Sequence, residues 1–447
     1  MKPLVSVLIF LALSGSLAAA EKTLERIEDP VIVEGKELKP LLGAKPEELS
    51  LMAWTGEGFE PVPFQVDERD AEGEYVYTMS VEGDKIAPST AADQDPGLDS
   101  NDELVFMVFD TGDRCPEGSF PDGAEKGAEI DITDPVDGGK AWIYLFAFKN
   151  EPPRSELDYV KSIIDSRKKV QRIQARNYIN EYVQNALYYN YISIVHSDGT
   201  RSPDLVDRLK MRAVVSVAFD IIKIPFALDE IVKSEIVAVK DGPIRVLTQG
   251  QGYLEGPANI RMNAGRSVLL NYPGFFILPI HLYVPLDADL LLSDVDLHGE
   301  NDFNENAYGM YYYDEHNPWN PEVVLDGRMS RTEKDMDYKS DREWLVVTGP
   351  QGTFVGRAVY PSEWDFVNKG LYYVDDPGFE DAPEDNPGSI AVGFNMENYI
   401  ALKKGAFDYC FHGYFPQDFK VGDERMILDI MDRPLKVKVI EMSKDAQ

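Results

Sequence analysis

Histidine and cysteine, the usual ligands of protein-bound transition metals, are scarce in this chain. It has 447 residues, of which five are histidine and two are cysteine. Neither cysteine has a second cysteine or a pair of histidines at the spacing of a zinc site, and no C-x-x-C-H occurs. The sequence therefore argues against a zinc centre and excludes covalently attached c-type haem.

The signature motifs of four protein classes are absent as well. The chain has no G-x-x-x-x-G-K-[ST], no G-x-G-x-x-G between a strand and a helix, no G-x-S-x-G and no H-E-x-x-H. These absences disfavour nucleotide-driven chemistry, a Rossmann cofactor site, an α/β-hydrolase nucleophile and a zincin.

Positive charge is also in short supply. The chain has 44 Lys and Arg residues against 78 Asp and Glu residues, which gives a formal net charge of −34. This balance argues against binding to nucleic acid, whose phosphates require a basic surface, and against adhesion to anionic membranes. It fits a solvated exported protein and the binding of cations.

The N-terminus resembles an export signal. Lys2 precedes an apolar segment from Leu4 to Leu13, and Ala18 and Ala20 occupy the two positions that a signal peptidase reads. This pattern predicts a signal peptide over residues 1–20, cleaved after Ala20. No segment reaches the roughly 20 apolar residues that a membrane span needs, so we expect a soluble periplasmic or extracellular protein.

After export, the two cysteines would meet an oxidising environment. A disulfide between Cys115 and Cys410 is the default expectation there, and it would tie the N-terminal region to the C-terminal one. A closed loop of this length is worth about 4–5 kcal/mol in the chain-entropy model.

The pattern of apolar residues is typical of β-strands. Short segments rich in Val, Ile, Tyr and Phe alternate with clusters of Gly, Pro, Asp and Asn. We predict a mainly β protein with an N-terminal β module (21–150), a connecting segment (151–208) and a large β-sandwich (209–447). The best helical pattern is Tyr159–Val183, inside the connecting segment.

An acidic turn lies in the N-terminal module, just before an apolar segment. It predicts a calcium site, because hard cations take six to eight oxygen ligands and this turn crowds oxygen donors together. The alternative is that these side chains cap their own backbone. The four predicted ligands are Asp95, Asp99, Asn101 and Asp102.

Three stretches resemble a known pattern: PVPFQVDE (Pro61–Glu68), DSNDELVFMVFDTGD (Asp99–Asp113) and EIVAVKDGPIRVL (Glu235–Leu247). Together they are similar to segments of exported bacterial and archaeal proteins with galactose-mutarotase-like β-supersandwich domains, some of which are linked to polysaccharide processing. The resemblance implies a supersandwich-like fold and a glycan ligand. It carries over no catalytic residue.

The stretch HGENDFNENAYGMYYYDEHNPWNP (His298–Pro321) is rich in aromatic and polar residues. Sugar sites combine rings that stack on sugar faces with carboxylates and amides that bind hydroxyls. We predict that Trp319, His316 and Asp314 are exposed and that, with Tyr311, they bind such a ligand.

The three consecutive tyrosines of this stretch cannot all face one way. In a strand, Tyr311 and Tyr313 share one face and Tyr312 takes the other. The alternative to a binding site is therefore that Tyr311 and Tyr313 pack in the core and that the rest is a surface loop.

A cationic row occurs in VDRLKMRAVV (Val206–Val215). Arg208, Lys210 and Arg212 share one face of the predicted strand. We predict that Arg208 and Arg212 bind an anionic or uronate ligand. The alternative is that the row pairs with acidic residues of the neighbouring strand.

Three functions remain open from the sequence. The first is a binding or structural role toward a glycan or a cell-surface polymer, without catalysis. The second is a polysaccharide-active lyase or glycoside hydrolase, which requires carboxylates, a Tyr or His, and Arg to converge in space. The third is an accessory subunit that binds a protein partner in an exported assembly.

Overall fold

The computed structural model shows a mainly β protein, as the sequence predicts, with antiparallel sheets packed in a sandwich-like arrangement. The predicted signal peptide, apart from Ala20, lies outside the residues that the structure describes. No helix among the described residues is long and apolar enough to cross a membrane. The structure describes residues 20–83, 85–89, 95–186, 188–217, 222–228, 232–255, 261–284, 287, 289, 293–379 and 390–443.

Twenty-seven strands and two α-helices occur in these ranges. The strands of the first half are β1 (Pro30–Glu34), β2 (Leu49–Trp54), β3 (Phe59–Pro61), β4 (Gln65–Asp67), β5 (Met79–Glu82), β6 (Lys85–Pro88), β7 (Glu103–Met107), β8 (Ala124–Thr133), β9 (Lys140–Phe148), β10 (Val160–Asp165), β11 (Val170–Ala175), β12 (Tyr178–Val183) and β13 (Tyr189–Ile194).

The second half is equally strand-rich. Its helices are α1 (Arg331–Lys334) and α2 (Glu424–Asp432), and its strands are β14 (Val206–Val217), β15 (Ile222–Ala227), β16 (Val232–Asp241), β17 (Val246–Glu255), β18 (Arg261–Asn271), β19 (Phe275–Val284), β20 (Asp294–Phe303), β21 (Tyr311–Asp314), β22 (Trp344–Gly349), β23 (Gly352–Val359), β24 (Asn368–Asp375), β25 (Ile390–Glu397), β26 (Gly405–Tyr414) and β27 (Lys436–Met442).

The chain divides into two compact units. Unit 1 takes the described residues 20–66, 95–156 and 433–443, so three separate segments build it. Unit 2 takes the described residues from 67 to 89 and from 157 to 432. The predicted boundaries at 150 and 208 differ from this division, because the hairpin of β5 and β6 belongs to unit 2 and the C-terminal strand to unit 1.

Among the described residues, unit 1 contains two sheets, with the strand orders β1-β7-β4 and β27-β8-β9-β2-β3. Strand β9 is buried on both faces. Ile143 and Leu145 point into an aliphatic core, while Tyr144 and Phe146 point into an aromatic cluster on the other face. Burial on both sides explains why this strand reads as a continuous apolar run rather than as an alternation.

Unit 2 contains three sheets among the described residues. Their strand orders are β10-β11-β12-β13, β15-β14-β20-β25-β24 and β21-β22-β23-β26-β19-β18-β17-β16-β5-β6. One apolar cluster joins them, with Ile173 from the four-stranded sheet, Leu209 and Phe394 from the five-stranded sheet, and Phe276 and Phe354 from the ten-stranded sheet. The strands of each sheet contribute alternate residues to this cluster, because only one face of each strand lies against the core.

The helix predicted over Tyr159–Val183 is wrong, because this segment forms β10, β11 and β12. Three consecutive basic residues, Arg167, Lys168 and Lys169, occupy the turn between β10 and β11. There, Asp165 Oδ1 accepts hydrogen bonds from the backbone N–H groups of Arg167 (2.9 Å) and Lys168 (3.1 Å), and Lys169 adopts a φ of 56°. Turn chemistry therefore outweighs the helical spacing of the apolar residues.

Two glycines on adjacent strands of the five-stranded sheet differ in the room around them. A Cβ on Gly393 of β25 would lie 2.0 Å from the carbonyl oxygen of Gly299 and 2.6 Å from the Cα of Glu300. A Cβ on Gly299 of β20 would meet Met396 Cε at 3.7 Å and the carbonyl oxygen of Lys210 at 4.0 Å, which are ordinary contacts.

We expect Gly393→Ala to lower the free energy of unfolding by about 2–4 kcal/mol, because β20 and β25 would have to separate. Gly299→Ala is the matched control and should change it by less than about 1 kcal/mol. Urea unfolding of both variants, followed by tryptophan fluorescence, measures the difference. Equal effects would contradict the close approach of these strands.

Candidate functional site

The stretch His298–Pro321 does not form one loop. Residues 298–303 complete β20 at the centre of the five-stranded sheet, whereas Tyr311–Asp314 form β21 at the edge of the ten-stranded sheet. The site residues predicted in this stretch belong to the second part, and His298 belongs to the first.

Asp314 is buried, which contradicts its predicted exposure to a ligand. Its carboxylate forms an ion pair with the guanidinium of Arg342, and both side chains are fully buried. Its Oδ1 accepts hydrogen bonds from the backbone N–H groups of His316 (2.8 Å) and Asn317 (2.7 Å). The residue therefore serves as an internal brace that shapes the following loop.

Arg342 ties a second segment to the same loop. Its Nη2 donates to the carbonyl oxygens of Asp337 (2.7 Å) and Ser340 (3.1 Å). Asn317 adds two bonds: its Nδ2 donates to the carbonyl oxygen of Asp337 at 3.0 Å, and its Oδ1 accepts from the Asp337 N–H at 2.7 Å. The loop after β21 is thus fixed by backbone contacts on both sides.

The three tyrosines alternate as the sequence predicts for a strand, but the alternative that placed Tyr311 and Tyr313 in the core is wrong, because Tyr312 takes that position. Tyr312 lies in the main core of unit 2, and its hydroxyl donates to Asp314. Burial raises the pKa of Tyr312 well above its ordinary value, and the adjacent carboxylate adds to this effect. Tyr313 packs edge-on against Trp344, while Tyr311 is only half-buried.

Trp319 and His316 are exposed, as predicted. The Trp319 side chain is 43% exposed, and its ring centroid lies 6.2 Å from that of Tyr311 at an interplanar angle of 54°. His316 Nε2 lies 2.8 Å from the carbonyl oxygen of Asp341, which selects the tautomer that donates there. Of the four ligand residues predicted in this stretch, Tyr311 and Trp319 lie side by side, and His316 is exposed on the loop that joins them. We call these three residues the Trp319 surface.

The cationic row on β14 lies opposite a row of acidic residues and one histidine on β20. Arg208 is opposite Asp302, Lys210 opposite Glu300 and Arg212 opposite His298. Lys210 Nζ lies 2.9 Å from Asp302 Oδ2, and both side chains are buried. For Lys210, the structure therefore shows the alternative to an anionic-ligand site, which is pairing with acidic residues of the neighbouring strand.

His298 is the partly exposed member of these rows. Its side chain is 21% exposed, and its Nε2 lies 3.4 Å from a carboxylate oxygen of Glu300. Its ring stacks on that of Tyr372 with centroids 3.9 Å apart and an interplanar angle of 7°. Across the two neighbouring strands it lies opposite Arg212 and Asn395.

Glycine makes the contact between Tyr372 and His298 possible. Tyr372 on β24 lies opposite Gly393 on β25, which in turn lies opposite Glu300 on β20. Because no side chain rises from Gly393, the Tyr372 ring reaches across β25 to His298. We call this cluster, comprising Arg212, His298, Glu300, Tyr372 and Asn395, the His298 face.

The sheet becomes more acidic beyond the His298 face. Burial, followed by repulsion from Asp294 and Glu397, raises the pKa of Asp296, although Lys223 acts in the opposite direction. Asp296 lies opposite Val214, which follows Arg212 by two residues on β14 and shares its face of the sheet. The cationic end and the acidic end of the face are thus separated along the strand.

Sequence reasoning missed Glu300, Tyr372 and Asn395. Glu300 shares the face of His298 by the strand period of two, so its position was readable once β20 was recognised. Tyr372 and Asn395 come from β24 and β25, which are distant in sequence from β14. Only the order of strands in the sheet brings them together.

The predicted calcium ligands make local turn contacts. Asp95 Oδ1 accepts from the N–H of Gly97 (3.3 Å), Asp99 Oδ1 from the N–H of Asn101 (2.9 Å), and Asp102 Oδ2 from the N–H of Asp99 (2.9 Å). These bonds are those of the backbone-capping alternative. In the part of the chain that the structure describes, no group of three or more His, Cys, Asp and Glu side chains is placed to hold a metal ion.

The predicted disulfide is absent, because Cys115 and Cys410 are both free thiols. Each packs inside its own unit. Cys115 is buried in the aromatic cluster of unit 1, where its N–H donates to the hydroxyl of Tyr144 at 2.7 Å. Cys410 belongs to unit 2, and its Sγ lies 3.1 Å from His412 Nε2.

The Cys410–His412 pair is held in its neutral form. Burial raises the pKa of Cys410 to about 11. Burial, together with the charge of Arg357, lowers the pKa of His412 to about 4. The His412 Nδ1 lies 2.9 Å from the Tyr414 hydroxyl, so the imidazole is a buried hydrogen-bonding group rather than a charged one.

No protein-family model and no curated protein matches this chain.

Arg342→Met should lower the free energy of unfolding by about 3–5 kcal/mol, because it leaves the buried Asp314 carboxylate without its counter-ion. Arg331→Met is the matched control, since the Arg331 side chain is 95% exposed and its ion pair with Asp335 lies at the surface. The control should change stability by less than about 1 kcal/mol. Chemical denaturation measures both, and a mild effect of Arg342→Met would contradict the bracing role.

The pH dependence of stability should change in His412→Gln. The folded protein holds His412 neutral, so its contribution is complete above the unfolded pKa of about 6.5 and is lost as pH falls toward 4. Relative to the glutamine variant, the wild type should lose up to about 3 kcal/mol between pH 7 and pH 4. Denaturation curves across this range test it, and parallel curves would contradict the buried neutral imidazole.

Proposed function

We propose that the protein is an exported glycan-binding protein and that the surface formed by Trp319, Tyr311 and His316 is its binding surface. One observation carries this proposal: Trp319 is 43% exposed on a loop that buried contacts hold in place. An exposed tryptophan on a fixed loop is the arrangement that stacks on the apolar face of a sugar ring.

Preorganisation supports this assignment. The loop between β21 and Trp319 is braced by the Asp314–Arg342 ion pair and by the paired bonds between Asn317 and Asp337. A ligand that binds such a loop loses little free energy to ordering it. The buried network therefore contributes to binding without contacting the ligand.

Polar groups at the same surface suit the hydroxyls of a sugar. Glu315 and His316 are exposed between β21 and Trp319, and Tyr311 presents its ring beside the indole. Planar carboxylate and imidazole groups donate and accept hydrogen bonds at defined angles. The surface thus combines a stacking platform with directional polar groups.

Trp319→Ala should reduce retention on an immobilised polysaccharide panel by at least about fivefold, because stacking on an aromatic ring contributes about 1–3 kcal/mol and about 1.4 kcal/mol corresponds to tenfold. Trp319→Phe keeps an aromatic ring and should retain most of the binding. Val421→Ala removes a side chain of similar exposure elsewhere in unit 2 and should have no effect.

Affinity electrophoresis in gels that contain each polysaccharide gives the measurement, with circular dichroism as a check on folding. Undiminished retention of a folded Trp319→Ala variant would refute this surface as the binding site.

A further inference from the structure

Strand β27 forms the long open edge of the five-stranded sheet in unit 1. It lies at the end of the strand order β27-β8-β9-β2-β3, and among the described residues β8 is the only strand that pairs with it. None of the seven residues from Lys436 to Met442 is buried, whereas β8 and β9 are mostly buried. The opposite edge, β3, has only three residues. The sheet therefore presents one long row of backbone N–H and C=O groups with which an added strand can pair.

A cavity adjoins this edge. Its volume is about 340 Å³, and it is lined mainly by the loop from Arg114 to Ser119, by Glu129 of β8 and by the residues from Ile440 to Ser443. All of these segments belong to unit 1. Because Ile440 lies directly opposite Glu129 in the ladder, the cavity lies beside the pair formed by β8 and β27. The free edge and the cavity are thus parts of one surface.

The lining of this cavity carries an excess of negative charge. Arg114 compensates Glu129, because its Nη2 lies 2.9 Å from Glu129 Oε1. Glu117 and Glu441 are exposed and also belong to the lining. No further Lys or Arg occurs among the described residues that line the cavity. A cationic side chain that enters it therefore meets a favourable potential.

Two lysines project from the same strand. Lys436 and Lys438 are exposed, and by the strand period of two they share a face with Ile440 and Met442, which line the cavity. Lysines on an edge strand oppose indiscriminate pairing, since an added strand must bring groups that accept their charge. This edge carries both the lysines and an acidic cavity, so it is complementary to itself.

We propose that β27 pairs antiparallel with β27 of a second copy of this chain, and that the lysines of each copy enter the acidic cavity of the other. A two-fold axis through Val439 places Lys438 opposite the partner's Ile440 and Lys436 opposite the partner's Met442. Side chains directly opposite each other have Cβ atoms about 4.5–5.5 Å apart. The lysine stems therefore pack along these apolar side chains, while their ammonium groups reach the carboxylates of the cavity.

Charge and length select this register. An axis through Lys438 would set the two Lys438 side chains directly against each other, which is destabilising. An axis through Ile440 would leave only the five residues from Lys438 to Met442 paired. With the axis at Val439, all seven residues of the strand pair and no like charges lie opposite each other.

Two-fold symmetry closes this contact on itself. Each copy inserts two lysines and receives two, and neither β27 edge remains open. The interface is small, because it consists of one strand pair and two cavities. We therefore expect a dimer that dissociates on dilution. This inference is independent of the glycan ligand and of the Trp319 surface.

Sedimentation velocity of the purified protein, from micromolar to near-millimolar concentration, tests the dimer. At about 0.15 M salt, charges more than about 8 Å apart are largely screened, so the net charge of −34 does not hold two copies apart. The wild type should pass from monomer to dimer over this range. About half of the β27 amides should also exchange with deuterium more slowly at the high concentration, because they bond the second strand.

Charge variants separate this interface from any other. Lys438→Glu should weaken the dimer by at least about tenfold, because each copy then places a carboxylate beside the acidic lining of the other. Glu117→Lys should also weaken it, because a lysine then faces the incoming Lys438. The double variant restores opposite charges and should recover most of the affinity. Lys45→Glu makes the same charge change on an exposed residue before β2 and should leave the dimer unchanged.

All four variants should keep the melting temperature of the wild type, since they change exposed side chains. A monomer at every concentration would overturn the inference, and so would undiminished association of a folded Lys438→Glu variant. A double variant that stays as weak as Lys438→Glu would overturn the contact between the lysines and the cavity. An equal effect of Lys45→Glu would do the same, because it would show that net charge alone controls association.

Discussion

The register between β14 and β20 is the constraint on which both faces of the five-stranded sheet of unit 2 depend. It sets Arg208, Lys210 and Arg212 against Asp302, Glu300 and His298 on one face of the sheet. The same register sends Leu209 and Leu297 into the core on the other face. A slip of one residue along either strand would exchange these sets, so core packing and the polar face are fixed by one hydrogen-bond ladder.

Buried charge serves two purposes in this unit. The Asp314–Arg342 pair is fully enclosed and satisfied by backbone groups, and its effect is to hold a loop. The charges of the His298 face are also largely buried, but they end at a partly exposed imidazole. A charge network closed on all sides stabilises a shape, whereas the His298 face keeps one partly exposed ring at its end.

The sequence predicted those features that follow from the strand period of two. It predicted the mainly β fold, the shared face of the cationic row and the separation of Tyr312 from its neighbours. The predictions from the sequence were wrong where a contact depends on residues that are distant in the chain. Asp314 seemed a surface ligand because its partner, Arg342, belongs to another segment. The predicted disulfide was wrong for a similar reason, since the spacing of two cysteines along the chain does not show what surrounds each thiol. The helix over Tyr159–Val183 failed because a turn at Asp165 interrupts its apolar spacing.

The three-segment construction of unit 1 bears on how the chain folds. Strand β27, near the C-terminus, pairs along β8 from Lys436 to Met442. Until that strand has been synthesised, the edge of β8 exposes a row of unpaired N–H and C=O groups, which is a template for association with other chains. All the residues of unit 2 precede β27 in the chain. The five-stranded sheet of unit 1 therefore cannot close before β27 has been synthesised, although its other four strands come from the first third of the sequence.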